Sequence, residues 1–162
     1  WWRARPGASS TWPRTRRGLA AVLLLGAVGG WLGTRFVASH EGGGGAWEQR
    51  AVLAASADDT VRTSVFDQVR GAPFPAGIAD RVLRNTFTEA WDGRAEELAA
   101  RRAELLEQIR AAAQAQDASA VDISAGVSAG LIHSLEPAGA IVLGIVGEAE
   151  RILRERPAAL LR

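Results

Sequence analysis

The chain lacks cysteine altogether, which excludes disulfides, thiolate-held zinc and a cysteine nucleophile. It also lacks methionine and lysine, so all nineteen basic residues are arginine. It opens on Trp1 and is rich in alanine, arginine and glycine, so it is expected to be an interior or processed piece of the product of a GC-rich gene. Its two histidines, His40 and His133, are far apart, and a metal site is not expected from them. Charge is nearly balanced at a formal +1, which excludes a chain built as a whole to attract nucleic acid. The absence of thiols fits a reducing cytoplasm, the expected location.

What is present divides along the chain. Residues 1–17 hold Trp1, Trp2 and Trp12 among five arginines and show no helical or strand period, so they are expected to be irregular or disordered. Stacking of these tryptophans on a single strand of nucleic acid would need a fold around them, and no nucleic-acid partner is expected.

The most apolar stretch, GLAAVLLLGAVGGWLGTRFV over residues 18–37, has two readings. Arg16 and Arg17 before a short apolar run resemble a twin-arginine export signal over residues 14–32, which would make the chain an exported or membrane-anchored helical binding or structural protein. Only seventeen residues separate Arg17 from Arg35, and Gly26, Gly29, Gly30 and Gly33 interrupt them, so a spanning helix is not expected. The second reading is a helix over Leu19–Leu25, a glycine turn, and a buried strand over Gly30–Leu32 that delivers Gly33 and Thr34 at its end.

Four consecutive glycines at 42–45 form a flexible joint. A helix is expected over Ala46–Ala55, a short strand over Val61–Phe66, and a break across the glycine- and proline-rich residues 71–77. Leu98, Leu105, Ile109 and Ala112 predict one helix over Arg94–Ala115, capped by Asp92, with Glu97 and Arg101 paired on its exposed face. After a loop containing Gly126 and Gly130, a last helix is expected to start near Pro137, with Ile141, Ile145, Ala149 and Ile152 as its apolar stripe.

A glycine followed by a threonine at a strand end is a sensible phosphate site. The glycine lets the backbone approach the oxygens, and the hydroxyl and free amides donate to them. Gly33 and Thr34 have this form, although such a pair more often makes a plain turn. The stretch GLAAVLLLGAVGGWLGTRFVASHE resembles the segment that ends the barrel of nitronate monooxygenases (2-nitropropane dioxygenase-like proteins). WEQRAVLAASADDTVRTSVFD, PFPAGIADRVLRNTFTEAWDG and SAGLIHSLEPAGAIVLGIVGEAERIL resemble that family's later segments, in its order.

The resemblance implies an α/β fold: part of a flavin mononucleotide (FMN)-dependent (β/α)8 barrel, comprising its last βα unit and an appended helical region, mostly helical overall. A whole barrel takes about 250 residues, against 162 here. The implied divisions are residues 1–17, irregular or out of frame; 18–45, the last barrel helix, strand and phosphate loop; and 46–162, the helical region. By resemblance Gly33 and Thr34 contact the FMN phosphate, Ser128 in Gly126-Val127-Ser128 contacts the substrate, and the implied reaction is oxidation of an alkyl nitronate with oxygen. The family's second phosphate loop, GGIADGRG, is replaced here by a stretch beginning Thr11-Trp12, and tryptophan forbids the backbone approach that glycine allows. The family's histidine base lies in a motif that neither His40 nor His133 occupies. The chain is therefore expected to be inactive alone and to associate with the missing barrel half. A frame shift before about Gly18 is expected to restore the glycine loop, which reading the encoding DNA in all forward frames checks.

Overall fold

A computed structural model of the chain describes residues 14–71, 75 and 77–160. Among these, the helices are α1 (Arg14–Leu24), α2 (Thr34–Val37), α3 (Ala46–Ala54), α4 (Val65–Arg70), α5 (Thr86–Trp91), α6 (Ala95–Ala100), α7 (Arg102–Gln114) and α8 (Ala138–Leu160). Two strands, β1 (Thr60–Thr63) and β2 (Asp80–Leu83), pair antiparallel with Thr60 opposite Leu83. Helix dominates and the sheet is small, the balance the resemblance implied. The chain divides into two units, Trp1–Gly30 with Gly139–Arg162, and Trp31–Ala138.

In the first unit, α1 ends because Gly26 takes φ +94. The amides of Gly26 and Ala27 then close on the carbonyls of Leu23 and Val22, a glycine-terminated cap. The irregular segment expected over 1–17 lies outside the described residues as far as residue 13, and from Arg14 the chain is helical. In α8 the stripe Ile141, Ile145 and Ala149 is buried and Ile152 half-buried, as the four-residue spacing predicts. Beside this stripe Arg151 is paired with Glu148 at 2.7 Å and Glu155 at 2.5 Å. Among the described residues no helix is long and apolar enough to cross a membrane.

The strand expected over Gly30–Leu32 does not form. A strand exists only through a ladder with a neighbour, and no described residue pairs with this stretch. Trp31 within this stretch is fully exposed, as is Val28 before it.

The second unit is built on the hairpin. Residues 123–125 lie along the other edge of β2, where Leu83 N donates to the Ile123 carbonyl (2.9 Å) and Ala125 N to that of Arg81 (3.0 Å). Helices α4 to α7 cover it. Their core gathers Val65, Phe66, Val69, Val82, Phe87, Leu98, Leu105 and Ile109, with the rings of Phe66 and Phe87 stacked at 5.1 Å. Burying a side chain of this size contributes about 1.5–3 kcal/mol, so this cluster dominates the unit's stability.

Three details differ from the sequence expectation. The strand stops at Thr63 and Phe66 belongs to α4, because Val65, Phe66 and Val69 bury one helical face. The long helix breaks at Arg101, which leaves helical geometry at φ −107, ψ 14. There the Arg101 guanidinium sits over the Trp91 ring at 5.1 Å and pairs with Glu104 rather than Glu97, while Arg102 donates to the Val69 carbonyl. Asp92 does not cap that helix. It accepts from the Thr63 hydroxyl at 2.7 Å, because Gly93 at φ +79 turns the chain before Arg94.

Candidate functional site

Gly33 and Thr34 open α2, a single helical turn. One turn fixes several dihedrals for very little hydrogen bonding and does not hold itself, so its surroundings define it. The Arg35 guanidinium, buried, donates to the Ala38 carbonyl (2.7 Å) at the end of the turn and to Glu136 Oε1 (2.8 Å). The Ser39 carbonyl accepts from Gln49 of α3 at 2.8 Å. Ser39 also bridges Glu136, whose carbonyl accepts from the His40 amide at 3.1 Å. Ala38, Val52, Ile123, Ala129 and Ile132 close the apolar side.

Ser128 stands in a 3-10 turn, Val127–Leu131, that packs on α2 and α3. Gly130 is required there, because a Cβ would stand 2.8 Å from the Ala57 nitrogen. The two sequence-predicted segments meet, since Gly126 N donates to Thr34 Oγ1 at 2.9 Å across ninety-two residues. A Cβ built on Gly126 would lie 3.4 Å from Thr34 Oγ1 and 3.8 Å from Ser128 Oγ, so all three groups share one corner of the unit. Having accepted one hydrogen bond, the Thr34 hydroxyl still has its own proton to donate.

Gly33 is exposed at φ −97, a value open to any residue, and among the described residues no atom beyond its chain neighbours lies within 4 Å of where its Cβ would stand. The described residues therefore do not demand glycine there. The side chains of His40 and His133 are exposed, and among the described residues no cluster of acidic or histidine side chains is arranged to hold a metal. Thr11 and Trp12 lie outside the described residues.

Sequence reasoning named Thr34 and Ser128 as candidates but missed what joins them. The Arg35–Glu136 pair spans 101 residues and has no local periodicity to reveal it.

The family model for nitronate monooxygenase matches residues 14–148. The chain belongs to the nitronate monooxygenase family. Over 72 residues it is 43% identical to nitronate monooxygenase npaC of Metarhizium robertsii, a match covering 43% of this chain and 20% of that protein. Among solved structures it resembles FabK from Thermotoga maritima at 30% identity and TM-score 0.70, covering 88% of this chain and 43% of that one. It also resembles nitroalkane oxidase from Streptomyces ansochromogenes at 28% identity and TM-score 0.67, covering 90% and 38% respectively. The chain thus spans one fifth of the curated relative and about two fifths of the solved ones, and its fold is that of a partial (β/α)8 barrel.

Proposed function

We propose that this chain carries the phosphate-end segment and one substrate-facing loop of an FMN-dependent nitronate monooxygenase, and that alone it neither retains flavin nor oxidises nitronates. The observation that carries the first half is the Thr34–Gly126 hydrogen bond, which joins the Gly33-Thr34 segment to the Ser128 loop. The groups present suit one end of a phosphate: an open approach at Gly33 and a hydroxyl with a proton to donate at Thr34. When bound, FMN would supply the electron acceptor for a nitronate, with oxygen as its oxidant. This chain's own part is to hold the phosphate at Thr34 and to face the substrate with Ser128.

The second half rests on positioning. Catalysis of this kind needs cofactor, substrate and base held together, and much of the rate advantage disappears with that arrangement. The second glycine loop reads Thr11-Trp12 here, and neither histidine approaches Thr34 or Ser128 through any hydrogen bond of its side chain among the described residues. The exposed Leu25, Val28 and Trp31 favour association, with the rest of a family barrel as the expected partner. Cytoplasmic action is part of the same proposal, and fractionation of cells expressing residues 1–40 fused to a reporter tests it against export.

The decisive experiment mixes the purified chain with FMN, separates it by gel filtration, and measures oxygen consumption with an alkyl nitronate. We expect substoichiometric flavin and no turnover, and stoichiometric flavin with turnover would refute the proposal. In a complete family member carrying these segments, Gly33→Val is expected to reduce flavin retention more than Ser128→Ala. Equal flavin contents would remove the phosphate assignment.

A further inference from the structure

We infer that Arg35 and Glu136 are positioning residues that set where the Thr34 hydroxyl stands relative to the Ser128 loop. The functional sense of this inference rests on the proposed phosphate role of Thr34. The geometry stands independently.

Helix α2 is one turn long and draws its position from outside itself. At its start, Thr34 Oγ1 accepts from Gly126 N. At its end, Arg35 reaches the Ala38 carbonyl with one nitrogen and the Glu136 carboxylate with another. Glu136 is not an isolated counter-charge. Its Oε1 also accepts from Ser134 at 2.6 Å, and its backbone meets Ser39 and His40. Residue 126 immediately precedes the turn that carries Ser128 and residue 136 lies further along the chain beyond its end, so the α2 segment is fastened on both sides of that turn.

Charge makes the Glu136 fastening directional. Arg35 is 9% exposed and its partner 32%, and a guanidinium so placed is costly to leave without its carboxylate. Two planar, forked donor contacts also fix rotation of α2 as well as its distance from residue 136. Removing the Arg35 guanidinium takes the donor from the Ala38 carbonyl, and removing Glu136 takes away the carboxylate that holds that guanidinium in place, so either change loosens the single turn from its C-terminal end. Thr34 Oγ1 then no longer stands over the Gly126 amide. The two segments of the site would keep their own residues and lose their register.

Hydrogen–deuterium exchange with mass spectrometry on the 162-residue chain tests this, using peptides that cover residues 125–131 and residues 80–83. Arg35→Met keeps the aliphatic bulk and removes the fork, and is expected to speed exchange in 125–131 about tenfold while the β2 peptide keeps its rate. Arg35→Lys and Glu136→Gln, which retain one contact each, are expected to fall between wild type and Arg35→Met. If Arg35→Met does not fold, Glu136→Ala, altered from the more exposed side, gives the same reading. Wild-type exchange in 125–131 for these variants overturns the inference, as does equal acceleration of β2, which would mark plain loss of stability. Flavin content separates the functional layer: in a complete family member carrying these segments, Arg35→Met is expected to lower flavin retention. Unchanged retention there counts against the phosphate reading alone, because the ligand-free exchange comparison still decides the positioning role.

Discussion

The Asn85 side chain makes three hydrogen bonds within the second unit, and its removal gives a sharp test of how that unit is held. Its Oδ1 accepts from the Thr88 amide at 2.9 Å while the Thr88 hydroxyl accepts from the Asn85 amide, a capping box at the start of α5. Its Nδ2 donates to the carbonyls of Ala118 (3.0 Å) and Val121 (2.8 Å), so one amide ties α5 to the segment that runs into the third stretch of the sheet. Losing an N-cap costs about 1 kcal/mol. Each stranded carbonyl adds about 0.5–1.5 kcal/mol. Asn85→Ala is therefore expected to destabilise by about 2–4 kcal/mol, a large share of the stability of a domain this size. Asn85→Ser keeps an acceptor for the cap and loses both amide donations, so it should recover about 1 kcal/mol of that loss. Urea unfolding followed by helical circular dichroism at two protein concentrations measures both. The reasoning fails if Asn85→Ala lies within about 0.5 kcal/mol of wild type, the range of an ordinary surface change, or if the serine variant is no better than alanine.

Further outcomes are expected by the same route. Leu105 is fully buried in the α4–α7 core, and Leu105→Ala should cost about 2–5 kcal/mol in the same unfolding measurement. Gly71 ends α4 at φ +70, and a Cβ there would meet the Arg102 guanidinium. Gly71→Ala should thus lower stability by about 1–3 kcal/mol, and combining it with Arg102→Ala should relieve only the steric part. Asp59 and Asp117 are held below the ordinary carboxylate value, first by backbone amides of Ser56 and Ser119 and then by the side-chain hydroxyls of those serines. Groups so lowered contribute stability that is present above their unfolded value of 3.8 and lost as pH falls through the folded one. Melting temperature should therefore drop below about pH 4, and more shallowly in the Asp59→Asn, Asp117→Asn double variant. A double variant with the wild-type acid slope would exclude these two groups as the cause.

Sequence by itself determined the elements whose signal is local or periodic. The four-residue spacing of Ile141, Ile145 and Ala149 placed α8 and its buried face, and the apolar positions of Leu98, Leu105 and Ile109 placed the core side of α6 and α7. Ordered motif matches carried the family and the partial barrel, and the same resemblance named Gly33, Thr34 and Ser128 as candidates. Tertiary structure decided what depends on partners distant in sequence. Whether Gly30–Leu32 is a strand depends on a neighbour to pair with, which no property of its own residues supplies. The break at Arg101 depends on Trp91 and on the Val69 carbonyl met by Arg102. Strand β2 was legible only once Thr60–Thr63 and residues 123–125 flanked it. The candidate site follows the same division: its residues could be picked out along the chain, but the ninety-two-residue hydrogen bond from Gly126 to Thr34 and the ion pair of Arg35 with Glu136 arise only when the fold brings those segments together.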